Sequence, residues 1–228
     1  MTRESAVRVP VEAIIEIEDE IRARLAQQVL SACDEMASSG LFSASAGEVS
    51  VRIPDADSIL ITPHVPFVQQ LTPRKLLEIT LDGRILRKRA RPSISAQMHL
   101  EICKWRPDVK AVVHCHAAFA IVLSICDLPI PPVTFGAIPF SDVPRVSADT
   151  VATHQWPHEV AVTLADGAPA ALLCHDGMVT VGVDLEQAVS RALALEDTAR
   201  ILTLAHLLQK VPRALPPEVV EVLKQVQW

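Results

Sequence analysis

The residues best placed to do chemistry are two histidines one residue apart, His114-Cys115-His116, directly after the apolar run Ala111-Val112-Val113. Side chains two apart on a strand leave from the same face, so both imidazoles can reach one ion, and imidazole is the commonest metal-ligating side chain. The plain alternative is a hydrogen-bonded pair brought together by chance, and a third ligand decides between them. His175-Asp176 lies at a similar strand-to-turn point, and either residue could supply that ligand. Cys33, Cys103, Cys126 and Cys174 bring the cysteines to five, an odd number with no C-x-x-C spacing. That pattern fits neither a disulfide framework nor a structural zinc knuckle. Tyrosine is absent from the chain, so no phenol of its own can serve as an acid.

Several elements must position these groups. Half of the 228 residues are hydrophobic, enough for one domain to bury a proper core. Ile14, Ile17, Ile21, Leu25, Val29, Cys33 and Met36 recur at helical spacing with Gly40 as a stop, which predicts a long amphipathic helix. Short β-like runs at 48–53 and 58–61 follow, then a helical opening at Thr72-Pro73-Arg74 and a strand-turn-strand around Asp82-Gly83. Residues 94–104 read as a helix ended by Arg106-Pro107, 111–113 as a buried strand, and 117–125 as a helix. The proline-rich stretch 129–144 reads as extended loop and edge strand, and 158–164 as a helix. Strands at 170–173 and 178–181 then flank His175-Asp176-Gly177, and a long helix over 184–208 closes the pattern with Asp184 as its N-cap. Strands interleaved with helices predict an α/β domain whose sheet is covered on both faces.

Composition excludes several classes. Twenty-seven acidic residues against 21 basic ones leave a net charge of -6 and no broad cationic surface for nucleic acid. The basic run from Arg84 to Arg91 reads as a solvated loop face that could also attract an anionic substrate. With seven glycines against 17 prolines, little is available for a nucleotide-cradling loop, and Gly177 to Gly182 continues Val-Asp rather than Lys-Thr. No run of about 18 apolar residues predicts a membrane span. The opening residues carry no basic-then-apolar secretory pattern, so a cytoplasmic location is expected.

The segment from Trp105 to Ala117, W-R-P-D-V-K-A-V-V-H-C-H-A, followed by A-L-L-C-H-D-G from Ala171 to Gly177 and a long helix, resembles the class II aldolase/adducin family. The resemblance runs from about residue 27 to about residue 223, leaving residues 1–26 as an N-terminal helical extension. It implies a single α/β domain around a central mixed sheet with helices on both faces, assembled as a homotetramer and acting on small molecules. It also implies zinc held by both histidines of H-x-H, here His114 and His116. Anchoring on Gly177 and Gly182 puts Asp176 at the family's third-histidine position, with His175 as the alternative third ligand. Two histidines and one carboxylate suit a divalent ion and shift the preference toward manganese or iron(II).

The rest of the pocket departs from the sugar-phosphate aldolases. Their P-S-S-E glutamate, an acid/base, is replaced by Ser95 in Pro92-Ser93-Ile94-Ser95, and a serine hydroxyl cannot transfer protons near neutral pH as a carboxyl does. The family's phosphate ligands fall at Gly47-Glu48, at Thr62-Pro63-His64-Val65 and at Ser93-Ile94, where an anionic Glu48 would repel phosphate. Glu48 and His64 become candidates for substrate contact and proton transfer, or for a surface ion pair with each other. His99 matches a family histidine and is expected on the metal side of its helix. Ser93 remains as a substrate contact, and Phe140 falls near the place of a tyrosine that several aldolases lend to a neighbouring subunit. The reading that follows is a metal-dependent lyase acting on a non-phosphorylated carboxylate, decarboxylase before aldolase. A non-haem Fe(II) oxygenase and a non-catalytic adducin-like binding domain are the alternatives.

Overall fold

Alternation along the strands sorts the apolar side chains into two sets. In the computed structural model, which describes residues 11–42, 47–65, 68–87, 91–141, 143–151 and 153–225, these sets form two cores on opposite faces of one sheet. The strands are β1 (Glu48–Arg52), β2 (Ser58–Ile61), β3 (Leu77–Thr80), β4 (Ile85–Arg87), β5 (Ala111–Cys115), β6 (Arg145–Val146), β7 (Ala170–Leu173) and β8 (Gly177–Gly182). Their order across the sheet is β4-β3-β2-β1-β5-β8-β7-β6. Every pairing is antiparallel except β6 with β7, so the sheet is mixed.

Val49, Val51, Ala111, Val113 and Met178 face the first core, formed with α1 (Val11–Ser38), α3 (Ala118–Ile125) and α5 (Leu185–Leu207). Ile59, Ile61, Val112, Val179 and Val181 face the second, under α2 (Ala96–Trp105) and α4 (Trp156–Thr163). The period of two that puts Val112 under α2 also sends His114 to that face. Burial on both faces explains why the strands read as continuous apolar runs.

Local chemistry sets the helix ends. Gly40, at φ +77°, takes the left-handed turn that closes α1, and Leu41 N–H returns to the Met36 carbonyl at 2.9 Å. Asp184 caps α5 by accepting from Gln187 N–H at 2.8 Å, as its N-cap position predicts. The first helix runs unbroken past residue 26, with Leu25 and Val29 both in the core. Within 1–26, Arg22 makes a two-pronged pair with Glu78 of β3 at 3.1 and 3.2 Å.

One local expectation is corrected and one helix is added. The stretch 129–144 holds a 3-10 helix at Phe135–Phe140, and the edge strand is β6 just after it. A further helix, α6 (Pro217–Lys224), packs on that 3-10 segment although its short, proline-flanked sequence gives little periodic signal. Among the described residues no helix is long and apolar enough to cross a membrane. Lys88 and Arg89 of the basic run lie outside the described residues.

Candidate metal centre

Three strands bring the centre together. Antiparallel β1 and β5 pair Glu48 directly with His114, and β5 and β8 pair Cys115 with Met178. The hairpin joining β7 to β8 closes Leu173 on Gly177, so residues 174–176 lie at the end of β5 where the histidines are. Asp176 N–H donates to the Leu173 carbonyl at 3.0 Å, and His175 takes a left-handed φ of +67° with its side chain exposed.

Gly177 is required for this approach. A Cβ built there would lie 2.0 Å from the Cys115 carbonyl oxygen and 2.8 Å from His116 Cα. Any side chain therefore separates the start of β8 from the end of β5 and draws Asp176 off the histidines. Gly177→Ala is expected to destabilise the fold by about 1–3 kcal/mol, the usual cost of overpacking. It should also weaken metal binding at least tenfold, measured by thermal melting and by chelator competition on the same preparation.

Donor atoms of His114, His116 and Asp176 all lie within 4.8 Å of one another. His114 Nε2 is 3.0 Å from Asp176 Oδ2, His116 Nε2 is 3.4 Å from Asp176 Oδ1, and the two rings are 5.2 Å apart. His114 is buried, whereas the His116 side chain is 41% exposed, which opens the cluster on one side. Two imidazoles and one carboxylate fit a zinc, manganese or iron(II) ion, and the side chain that converges with the two histidines is that of Asp176, while His175 is exposed.

Charge is balanced internally. Burial alone would push His114 down, but carboxylates on both ring nitrogens outweigh it and raise the imidazole to about 9. Burial works against ionisation of Glu48 as well, yet its bonds to His114 and Ser93 and the nearby positive charge hold it at about 2. Burial and the neighbouring His114 lower His116. Asp176 is lowered too, because the two histidines overcome the effect of its burial.

The remaining predicted residues sit around the cluster at different depths. Glu48 and His64 form no surface pair. Glu48 is only 6% exposed and accepts from His114 Nδ1–H at 2.7 Å and from the Ser93 hydroxyl, while His64 is exposed and its backbone N–H donates to the Arg91 carbonyl. Its backbone period puts Glu48 on the same sheet face as His114, where α2 covers it.

His99 is wholly buried between α2 and β1, with Nδ1 2.7 Å from Ser50 Oγ and Nε2 without a partner among the described residues. Burial pushes it down to about 3, so it stays neutral and cannot act as an acid near pH 7. Ser95 is buried at the start of α2, its N–H donating to Ser93 Oγ at 3.1 Å. Phe140 is a core residue at 1% exposure, which leaves it no free surface for a ligand within this chain. The Cys115 thiol faces the opposite core and is raised by burial, so it is no ligand.

Glu196 of α5 was not singled out by the sequence. Its carboxylate accepts from Phe119 and Ala120 N–H at 3.0 and 2.9 Å, capping α3 immediately after His116. Phe119 and Glu196 are 77 positions apart, and nothing local signals this contact.

A mixed sheet sandwiched by helices, with a two-histidine cluster at the end of a central strand, defines an α/β protein of the class II aldolase type. Residues 27–203 match the family described as the class II aldolase and adducin N-terminal domain, and the chain belongs to it. It is 33% identical over 208 residues to an L-fuculose phosphate aldolase of Escherichia coli O157:H7, covering 90% of this chain and 94% of the other. It is 30% identical over 171 residues to a 3-oxo-tetronate 4-phosphate decarboxylase of Escherichia coli O6:H1, covering 72% and 78%. Among solved structures, YgbL from Escherichia coli superposes with a TM-score of 0.80 at 26% identity, covering 90% and 99%. Both named activities are lyase reactions on small molecules.

Proposed function

We propose that the protein is a metal-dependent lyase that decarboxylates a non-phosphorylated hydroxy, keto or aromatic carboxylate. The observation that carries this reading is the convergence of His114, His116 and Asp176 at an open strand end whose acid/base position is Ser95. A divalent ion held by these three residues would supply Lewis-acid stabilisation of the negative charge left when a carbon-carbon bond breaks.

The chain's own residues favour loss of carbon dioxide over aldol cleavage. Retro-aldol cleavage needs a base to remove a hydroxyl proton, and neither Glu48, buried behind His114, nor His99, sealed under the sheet, can reach a substrate hydroxyl for that role. Decarboxylation needs an electron sink and one proton, which solvent can deliver at the exposed His116 side of the cluster. The similarity to a decarboxylase supports the same choice, although that relative's substrate is phosphorylated.

The Ser93 hydroxyl, one that would greet a phosphate, donates its hydrogen to Glu48 inside the protein. The family resemblance extends the reading to a homotetramer, which sedimentation equilibrium tests.

Two histidines with one carboxylate are also the ligand set of non-haem Fe(II) oxygenases, which gives a second reading. Protein loaded anaerobically with zinc, manganese or iron(II) and offered a panel of hydroxy, keto and aromatic carboxylates, with and without phosphate, separates the cases. Carbon dioxide release without oxygen from a non-phosphorylated acid is expected. Cleavage of a sugar phosphate to an aldehyde, or turnover only with iron(II) and oxygen, overturns the decarboxylase reading.

A further inference from the structure

Resting on the metal centre just described, we propose that Glu48 is a positioning residue that fixes the ring and tautomer of His114 and thereby sets metal affinity. Glu48 stands opposite His114 in the β1–β5 register, and its Oε2 is 2.7 Å from His114 Nδ1. An ionised carboxylate can only accept, so Nδ1 carries the hydrogen. The lone pair of the ring then belongs to Nε2, the nitrogen that faces Asp176 at 3.0 Å. A negative charge behind the ring also makes Nε2 a better donor to a cation.

The carboxylate is itself held. Ser93 Oγ accepts from Ser95 N–H at 3.1 Å, which occupies a lone pair and turns the hydroxyl hydrogen toward Glu48 Oε1. A directional chain therefore runs from the start of α2 through Ser93 and Glu48 to His114. It gives the Pro92-Ser93-Ile94-Ser95 turn a function that needs neither a glutamate at position 95 nor contact with substrate. Glu48 and Ser93 thus leave the set of substrate-contacting residues and become supports for a ligand.

The chain fixes the direction of each effect. Glu48→Ala removes both the acceptor and the charge, and should weaken zinc binding about 10- to 100-fold, the range typical for such outer partners. Glu48→Gln keeps an acceptor for Nδ1–H without the charge and should fall between the alanine variant and wild type. Ser93→Ala leaves Glu48 in place but loosely held, and should cost a few-fold.

Zinc affinity by chelator competition, with nitrogen-15 NMR of the His114 ring in zinc-loaded protein, tests this. A slowly exchanging Nδ1–H resonance is expected in wild type and should be lost in Glu48→Ala; a purely structural role for Glu48 would move stability without moving that resonance. Should Glu48→Ala fail to fold, Ser93→Ala and Glu48→Gln carry the same measurement. If wild type binds zinc and these variants bind within twofold of it with Nδ1–H unchanged, the positioning role is wrong and the metal centre stands. If wild type itself binds no zinc, the metal centre fails and the positioning role with it.

Discussion

Asp176→Ala is expected to lower metal affinity by more than about 100-fold, beyond what loss of an outer hydrogen-bond partner costs, whereas His175→Ala binds within a few-fold of wild type. Asp176 is the anionic member of the cluster and approaches both histidines, at 3.0 and 3.4 Å. Its side chain is 28% exposed, so truncation leaves space that water can fill and little buried charge stranded at its own position. His175, one residue earlier, is exposed with a left-handed backbone, and bringing its ring to the cluster would require rebuilding the turn. Metal analysis after dialysis, with melting curves to show that both variants fold, reads the outcome. Retention of metal by Asp176→Ala and its loss by His175→Ala would reverse the ligand assignment. Asp176→His adds a refinement: it should keep zinc and lose relative affinity for manganese, because imidazole suits zinc and carboxylate suits harder ions.

The parts of this centre that were legible in the sequence are those set by local period. His114 and His116 two apart after an apolar strand predict a shared face, and the hairpin glycine fixes the register that favours Asp176. The strands, the long helices and the Asp184 cap follow from short apolar runs, 3.6-residue spacing and one side-chain bond. What was illegible depends on pairing across long separations. Glu48 meets His114 66 residues away because β1 happens to lie beside β5, and nothing near Glu48 announces that neighbour. Lacking it, the sequence leaves Glu48 as a pocket carboxylate free to contact substrate. His99 does lie on the side of α2 that faces Glu48 and His114, but its full burial was illegible for a related reason. Its helical face is set by how α2 lies on the sheet, and that packing turns the ring onto Ser50 rather than toward the opening. The departures from the sugar-phosphate pocket also change meaning: Glu48 does not stand in for the missing acid/base, it braces a ligand.

His114→Ala should cost the metal-free protein about 3–5 kcal/mol at pH 7, the loss typical when one partner of a buried pair is removed. The ring is 1% exposed and sits between the carboxylates of Glu48 and Asp176, so its removal strands the Glu48 charge in the interior. Removing that charge as well should help: His114→Ala combined with Glu48→Ala is expected to recover at least half of the loss, a non-additivity that urea denaturation of the four proteins measures. Direction with pH follows from the two shifts. His114 is raised to about 9 in the folded state, so its contribution is complete below about 6.5 and is lost as pH rises through about 9. Glu48 is held at about 2, so its contribution is complete above about 4.5 and is lost as pH falls through about 2. Metal-free wild type should therefore be most stabilised by this pair between about pH 4.5 and 6.5 and should weaken toward pH 9, a decline that His114→Ala lacks. Metal affinity runs the other way. The proton on His114 must leave before its nitrogen can bind an ion, so affinity should climb about tenfold per pH unit from pH 7 until about pH 9. An affinity that stays flat across that interval would mean that His114 is already neutral in the metal-free protein, and that Glu48 does not hold an imidazolium beside it.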